Sequence, residues 1–471
     1  VVMVTRLSEM GKKKCEEYWP QDVGSTKAVG NLTVLHILEE EYGDYAYRKF
    51  RVTCKEEERE VHHFHFLSWI DKSRPDNTFR LLAFLRRVRS FDSEALGPLV
   101  VHCSAGVGRT GTLIALDYLM EQAKAEQKVD VFSCVQKLRE QRMHMVQLVE
   151  QYVFVYDALL EALKSGDTVI PCATFPHTLE DLKRSDSAAH QQMRKEFELI
   201  RDYKEAIDLS KVDGGTATNK AKNRYQDIVP MDLFRPHLDL SFCENDYINA
   251  VFVDGYKSRD AYLLTQMPLP ETVSDFLHMT YNLYEMRSNA IVMLNELDED
   301  DLTCATYWPT EVDSPVKIGG LTVSLVSEDK EQHPNIIIRD LDISTSEGVD
   351  EQPHRVRQFQ LTNCWSKGSL FPKEIGVLLD LMELVTRWQQ QSEVTPVTVH
   401  CLNGVERSAM FAMASYLVDM LKVEQIVDVY LACRFITSKC PLALPSLEQY
   451  QFLFELAGSF MSNFETYANF K

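Results

Sequence analysis

The chain has 471 residues, of which 45% are apolar and 25% charged, the balance of a globular protein with room for two or three packed cores. A net charge of −20 excludes a broad basic face for nucleic acid, so affinity for an anion has to be built locally from a few cations and backbone amides. No apolar run is long enough to span a membrane, and eleven cysteines with no CxxC pair or His/Cys cluster give no disulfide framework and no metal site; they read as thiols of a reducing compartment.

The opening "VVMVTRLSEM" is neither an initiator methionine nor a signal peptide. It leads into "EMGKKKCEEYWP", whose lysines Lys12 to Lys14 are by default a solvated face. Farther on, Pro98-Leu99-Val100-Val101 is a short apolar strand ending at His102-Cys103. Gly106, Gly108 and Gly111 follow, and the amphipathic helix "TLIALDYLMEQAKAEQ" begins. A strand, a glycine turn and a helix N-terminus form an anion cradle, because amide N–H groups converge there and the helix dipole favours negative charge. A cysteine at its mouth should have a lowered thiol pKa and act as a thiolate nucleophile. Arg109 adds a charged fork that matches two phosphate oxygens. Thr110 can hydrogen-bond the sulfur and ease its departure as a leaving group. A bare C-x5-R is a weak signal, and a buried cysteine before a glycine turn is common. The full phrase from Val100 to Thr112, with strand before and helix after, is what carries the nucleophile.

Helix-like "QYVFVYDALLEALK" ends at Ser165-Gly166-Asp167, and Pro171 and Pro176 follow. A polar helix is expected from Thr178 to Arg201, then a Gly/Thr/Asn-rich loop from Asp213 to Asn219. The cysteine phrase returns as "VTVHCLNGVERSAMF" at Val397, placing Cys401 on Cys103 and Arg407 on Arg109 at an offset of 298 residues. The same offset carries Glu150-Gln151-Tyr152 onto Glu448-Gln449-Tyr450, and "YWP" at Tyr18 recurs at Tyr307. "VVMVTRL" matches "AIVMLNEL" at Ala290, so residue 1 falls inside an expected central strand. Ordered matches of this length mean a duplicated domain and not a solenoid. Each copy alternates β-branched runs with amphipathic helices, an α/β pattern. The expected division is 1–164 for the first domain, 165–190 for a linker, 191–460 for the second domain and 461–471 for a tail. The second copy carries "KNRYQDI" and "NDYINAVF" ahead of Ala290 with no counterpart in the first, which is therefore read as truncated at its N-terminus.

The first loop resembles the signature His-Cys-Ser-Ala-Gly-x-Gly-Arg-Thr-Gly of protein tyrosine phosphatases, and the duplication resembles the tandem cytoplasmic domains of receptor-type members. The resemblance covers essentially the whole chain. It implies two tandem phosphatase-like domains, each a twisted mixed sheet flanked by helices, with no cofactor and with phosphotyrosine proteins as substrates. It further implies a cytoplasmic location, as the intracellular part of a single-pass receptor whose span is not in this chain. Cys103 would attack phosphorus while Ser104, Ala105, Gly106, Val107, Gly108 and Arg109 hold the phosphoryl group. "FHFLSWIDKSRPD" resembles the mobile Trp-Pro-Asp loop and makes Asp71 the general acid; a surface carboxylate is the plainer alternative. "MVQLVEQY" matches the glutamine loop, where Gln147 would position water and Gln151 assist. Glu9 would brace the arginine, and Lys14 would approach the acid loop. Ile70 and Lys72-Ser73 depart from the family's proline and His-Gly, which bears on loop closure and turnover. The tyrosine that stacks on the substrate ring has its match only in the second copy, at Tyr225.

The second loop keeps Cys401 and Arg407, but Glu406 replaces the glycine before the arginine. A carboxylate there would face the oxyanion, and a side chain would enter a position expected to need unusual backbone angles. Gly111 has become Ala409, the acid loop "QLTNCWSKGSLFP" holds no Asp or Glu, Pro445 stands where the water-positioning glutamine should be, and Met267 interrupts the family's Gln-Gly-Pro. The second domain is therefore expected to be silent in catalysis and to regulate or dock. "VHCLNG", "LPETVSDF" and "VTRWQQQ" look most like second domains of the adhesion-type, MAM-bearing receptor phosphatases. Tyr467-Ala468-Asn469-Phe470 has the form an SH2 module binds after phosphorylation, its alternative being a frayed aromatic tail. The rival function is an inactive scaffold that binds phosphotyrosine without hydrolysis; a phosphoserine/threonine or lipid phosphatase of the same chemistry comes third.

Overall fold

The computed structural model describes residues 1–471 except 71–72, 92–96, 210–211, 282–286, 298–300, 346–351, 367–368, 393 and 469–471, and it leaves out the side chains of 464–468. Two compact units divide the chain, Val1–Asp167 and Thr168–Lys471.

In the first unit, Thr26–Val29 and three long strands, Leu32–Glu41, Tyr45–Cys54 and Glu57–Phe66, form an antiparallel meander. Val2–Met3 and then Val101–His102 extend it in parallel to a sheet of six. Burial follows the neighbours. Glu57–Phe66 is exposed over its first four residues and buried over its last four, where Phe64 and His65 pair with Val2 and Met3. Val2–Met3 is flanked on both edges and wholly buried, as a parallel strand covered on both faces should be.

The unit's helices are α1 (Thr78–Arg89), α2 (Gly108–Glu126), α3 (Val131–Gln141) and α4 (Val149–Ser165). α2 stops on Gln127 in the left-handed conformation (φ 55°), and α3 starts where Asp130 accepts the Ser133 N–H at 2.9 Å. The same punctuation returns in the second unit at Gln425 (φ 55°) and at Asp428, which accepts the Leu431 N–H at 2.9 Å.

The second unit holds α5 (Phe175–Leu182), α6 (Ala188–Glu205), α7 (Val273–Tyr281), α8 (Ile375–Gln391), α9 (Glu406–Glu424), α10 (Val429–Thr437) and α11 (Leu447–Ala468). Its eight-stranded sheet runs Ala250–Val253, Tyr262–Gln266, Val397–Cys401, Ala290–Met293, His354–Leu361, Ile336–Thr345, Leu321–Asp329, Val316–Ile318. Val397–Cys401 and Ala290–Met293 are the counterparts of Val101–His102 and Val2–Met3. Val397–Cys401 has a further parallel neighbour in Tyr262–Gln266, whereas Val101–His102 closes the first sheet among the described residues.

The stretch 168–190, expected as part of a linker, is built into the second unit. Ile170 and Pro171 pair with Val427 and Ile426, and Phe175 and Leu182 are buried. The single helix expected from Thr178 is two, because the Ser187 hydroxyl accepts the His190 N–H at 3.0 Å and starts a new one. These helices cover α11: a Cβ on Gly458 would come within 2.4 Å of Leu179, and the Tyr450 hydroxyl donates to Glu196 at 2.7 Å. On α4, the counterpart of α11, Val149, Val153, Tyr156, Leu160 and Leu163 stay exposed at the spacing of one helix face.

Candidate active site

The first cradle lies where Val101–His102 gives way to α2. Cys103 is buried, and its Sγ accepts the Gly106 N–H at 3.2 Å. Gly106 holds φ +69°, a conformation glycine adopts without strain. Burial alone would push the thiol up. The Thr110 hydroxyl and the N–H groups of Thr110, Gly106 and Val107 outweigh it and hold the thiol below its ordinary 9.0. That hydroxyl is buried with no partner in ordinary hydrogen-bond geometry, which leaves the sulfur as its electrostatic counterpart. Behind the cysteine, Tyr18 bridges two histidines, its hydroxyl 2.7 Å from His102 Nε2 and 2.8 Å from His63 Nε2. Tyr307 repeats this with His400 Nε2 at 2.9 Å and Gln358 Nε2 at 2.6 Å, which explains the recurring "YWP".

Arg109 is 2% exposed and held by a brace. Nη1 donates to Glu9 Oε1 at 2.6 Å and to the Trp69 carbonyl at 3.0 Å; Nη2 donates to Thr5 Oγ1 at 3.0 Å. Glu9, on the small hairpin of Ser8–Glu9 and Lys12–Lys13, also accepts the Arg6 N–H at 3.1 Å and the Thr5 hydroxyl at 3.2 Å. Lys14 sits half-buried after that hairpin, its N–H donated to the Leu7 carbonyl at 2.8 Å. Asp71 lies outside the described residues. Beside it, Trp69 is buried with its indole N–H on the Ser73 carbonyl at 2.9 Å, and Ile70 is 48% exposed.

Gln151 is buried and fastens the glutamine loop. Its Oε1 accepts the N–H groups of Gln147 at 3.1 Å and Leu148 at 3.3 Å, and its Nε2 donates to the Ser73 carbonyl at 3.3 Å. The Gln147 side chain is exposed. Gly108 has no left-handed φ, so the expectation of unusual backbone angles there is overturned. What bears on the position is a close neighbour: a Cβ would come within 3.2 Å of the Gln151 carboxamide, which would have to give by a few tenths of an ångström. Gly111 is needed, since its Cβ would sit 2.5 Å from the backbone nitrogen of Val146.

Two arginines escaped the sequence reading. Arg142 donates from Nε to the Gly106 carbonyl at 2.9 Å and from Nη2 to the Ala105 carbonyl at 3.1 Å. Holding those carbonyls outward keeps the loop amides turned inward. Arg139 grips the carbonyls of Met145 at 2.9 Å and Val146 at 2.7 Å. The available signal was "REQRMHMVQ", two arginines three residues apart directly before the glutamine loop.

The second cradle is differently filled. Asn403 Oδ1 lies 3.4 Å from Cys401 Sγ and accepts the N–H groups of Val405 and Glu406, each at 3.1 Å. Arg407 donates to the carbonyls of Leu294 at 3.0 Å and Ser369 at 3.2 Å, with its guanidinium 4.0 Å over the Trp365 ring. Gln449 is fully buried with both carboxamide atoms unpartnered; Pro445, in the place of Gln147, has no N–H to give its Oε1. Cys440 stands in the place of Arg142. The Ala443 and Leu444 carbonyls, counterparts of those held by Arg139, accept from Lys204 of α6. Tyr225 is 41% exposed on a loop tied down by Gln266, which accepts the Arg224 N–H at 2.9 Å and donates to the Lys222 carbonyl at 2.8 Å. Met267 is buried in the core. The Tyr467 side chain lies outside the described residues. Among the described residues no cluster of acids, histidines or cysteines could hold a metal ion, and no helix is long and apolar enough to cross a membrane.

A cysteine held in a ring of inward amides, with an arginine six residues on locked to a buried glutamate, defines a class of phosphate-handling site. The family model for protein-tyrosine phosphatases matches residues 1–161 and 219–458, and the chain belongs to that family. It is 36% identical over 487 residues to receptor-type tyrosine-protein phosphatase epsilon of Rattus norvegicus, covering all of this chain and 67% of the relative. Over 486 residues it is 34% identical to receptor-type tyrosine-protein phosphatase alpha of Homo sapiens, covering all of this chain and 58% of that protein. Receptor-type tyrosine-protein phosphatase U of Gallus gallus is 33% identical over 473 residues, covering 99% of this chain and 32% of the relative. The chain thus spans between a third and two thirds of the length of these relatives.

Proposed function

We propose that the first unit hydrolyses phosphotyrosine in proteins through a cysteinyl-phosphate intermediate, and that the second unit is catalytically silent and regulatory. The observation that carries this reading is the Cys103 sulfur, its thiol held below the ordinary range by the Thr110 hydroxyl and by loop amides, with Arg109 locked in the same loop. The Cys103 thiolate attacks phosphorus and the bond to the tyrosyl oxygen breaks, while Asp71 gives that oxygen its proton. Loop amides from Ser104 to Gly108 and the Arg109 fork stabilise the phosphoryl oxygens as charge moves. Asp71 then takes a proton from a water positioned by Gln147. Attack by that water breaks the sulfur–phosphorus bond, releasing inorganic phosphate and restoring the thiolate, which Thr110 stabilises as it departs. Glu9 keeps the arginine in register, Gln151 keeps Gln147 in place, and Lys14 serves the acid loop.

The names of the relatives, receptor-type tyrosine-protein phosphatases, support phosphotyrosine proteins as substrates; we take the setting to be the intracellular part of a single-pass receptor. Tyr467, with Asn469 after it, is a docking point for an SH2 module once phosphorylated. The test is phosphate release from a phosphotyrosine peptide in the presence of EDTA, with Cys103→Ser expected to abolish it. Retained turnover in Cys103→Ser would refute the mechanism. A wild-type chain that holds the peptide without releasing phosphate would establish the scaffold instead.

A further inference from the structure

The two cradles are aligned residue for residue, so their contents can be compared directly. Ala105, Val107 and Gly108 of the first correspond to Asn403, Val405 and Glu406 of the second. In the first, the residue at this place has no polar side chain, and the Gly106 N–H turns to the cysteine sulfur. In the second, a carboxamide oxygen has entered the loop, takes two of its N–H groups at 3.1 Å and faces the sulfur at 3.4 Å. We propose that Asn403 is the resident ligand of the second cradle: its Oδ1 stands where an oxyanion's oxygen would bind and thereby excludes phosphate-like anions from the second unit. The inference rests on reading that unit as silent, and supplies a cause for the silence separate from Glu406.

Three features support it. A tethered acceptor competes at a high effective concentration, so a free anion must displace it to reach the amides. The amide oxygen is neutral, and it satisfies the two N–H groups without placing a second full negative charge beside Glu406. Arg407, the other anion-binding group, donates to the Leu294 and Ser369 carbonyls as Arg109 does to its own acceptors, but the Trp365 ring, 4.0 Å from its guanidinium, covers one face of it.

The test uses tungstate and the full chain carrying Arg109→Met, so that the first cradle's binding fork is gone and calorimetry reads the second. Glu406→Gly is compared with Glu406→Gly plus Asn403→Ala. Freeing two amides should tighten tungstate binding by about tenfold in the double variant. In Asn403→Ala, hydrogen exchange at Val405 and Glu406 should quicken by a similar factor. Equal tungstate affinity in the two variants overturns the proposal, and if exchange still quickens Asn403 is only a cap for α9. Should Asn403→Ala fail to fold, Asn403→Leu, close to asparagine in size and without an acceptor, takes its place with the same expectations. Phosphate release by the Cys103→Ser chain would refute the silence of the second unit without bearing on where Asn403 points.

Discussion

Thr110→Val removes the side-chain group that contributes most to lowering the Cys103 thiol, and little else. Its hydroxyl is buried, and it has no other partner in ordinary hydrogen-bond geometry, so valine leaves no orphaned donor or acceptor behind. A hydrogen bond to a charged acceptor contributes about 1.5–3 kcal/mol, equivalent to roughly 1–2 pKa units. The N–H groups of Thr110, Gly106 and Val107 remain, so the expected rise lies at the lower end, about one unit. At any pH below both values the thiolate fraction should then fall about tenfold. The assay is the rate of iodoacetamide labelling of the Cys103 peptide as a function of pH, read by mass spectrometry beside a melting curve. An unmoved labelling midpoint in a variant that melts like the parent would refute the assignment of Thr110 to the sulfur. It would leave the lowered thiol to the backbone amides alone.

Gly111→Ala should destabilise the first unit by about 1–3 kcal/mol, because the new Cβ would meet backbone of Met145 and Val146, which cannot swing aside as a side chain can. Calorimetry should show a lower melting temperature, and a raised one would mean that helix propensity, not the close approach, governs the position. His63 and His65 are buried, and burial depresses them from 6.5 to about 2 and about 4. Both stay neutral in the fold while the unfolded chain takes up protons below pH 6.5, so stability is full above that pH and is lost as pH falls toward 4. At pH 5 the loss is about 2 kcal/mol for each histidine. Denaturant unfolding at pH 7.5 and 5 should show this loss, and the His63→Gln/His65→Gln chain should lose less, keeping the part due to His400, which burial depresses to about 3; an equal loss in that chain would sink the linkage.

Much of the candidate site was legible because its chemistry is written in a local phrase. Strand, cysteine, glycine turn, arginine and helix are contiguous, and an internal repeat at a constant offset calibrated each position. Glu9 and Gln151 came through family resemblance, since nothing local ties residue 9 to residue 109. The Arg142 and Arg139 clamps went unread because an arginine at the end of an amphipathic helix looks the same whether it is solvated or holds a carbonyl 36 residues away. The role assigned to Gly108 was wrong in kind: its backbone is ordinary, and what crowds a side chain there is Gln151, which approaches from a different helix.

By itself the sequence determined the duplication, the α/β alternation, the cysteine–arginine phrase proposed as nucleophile and anion fork, and the residue changes in the second copy, because each is a matter of residue type, spacing or order along the chain. Tertiary structure alone decided which acceptors lock Arg109, what crowds Gly108 and why Gly111 admits no side chain without a shift, how residues 168–190 join the second unit, and that Asn403 turns its oxygen into the second loop. These depend on groups meeting across long separations in sequence, where directional hydrogen bonds and differences of a few tenths of an ångström in contact distance select one arrangement among many that the same residues would allow.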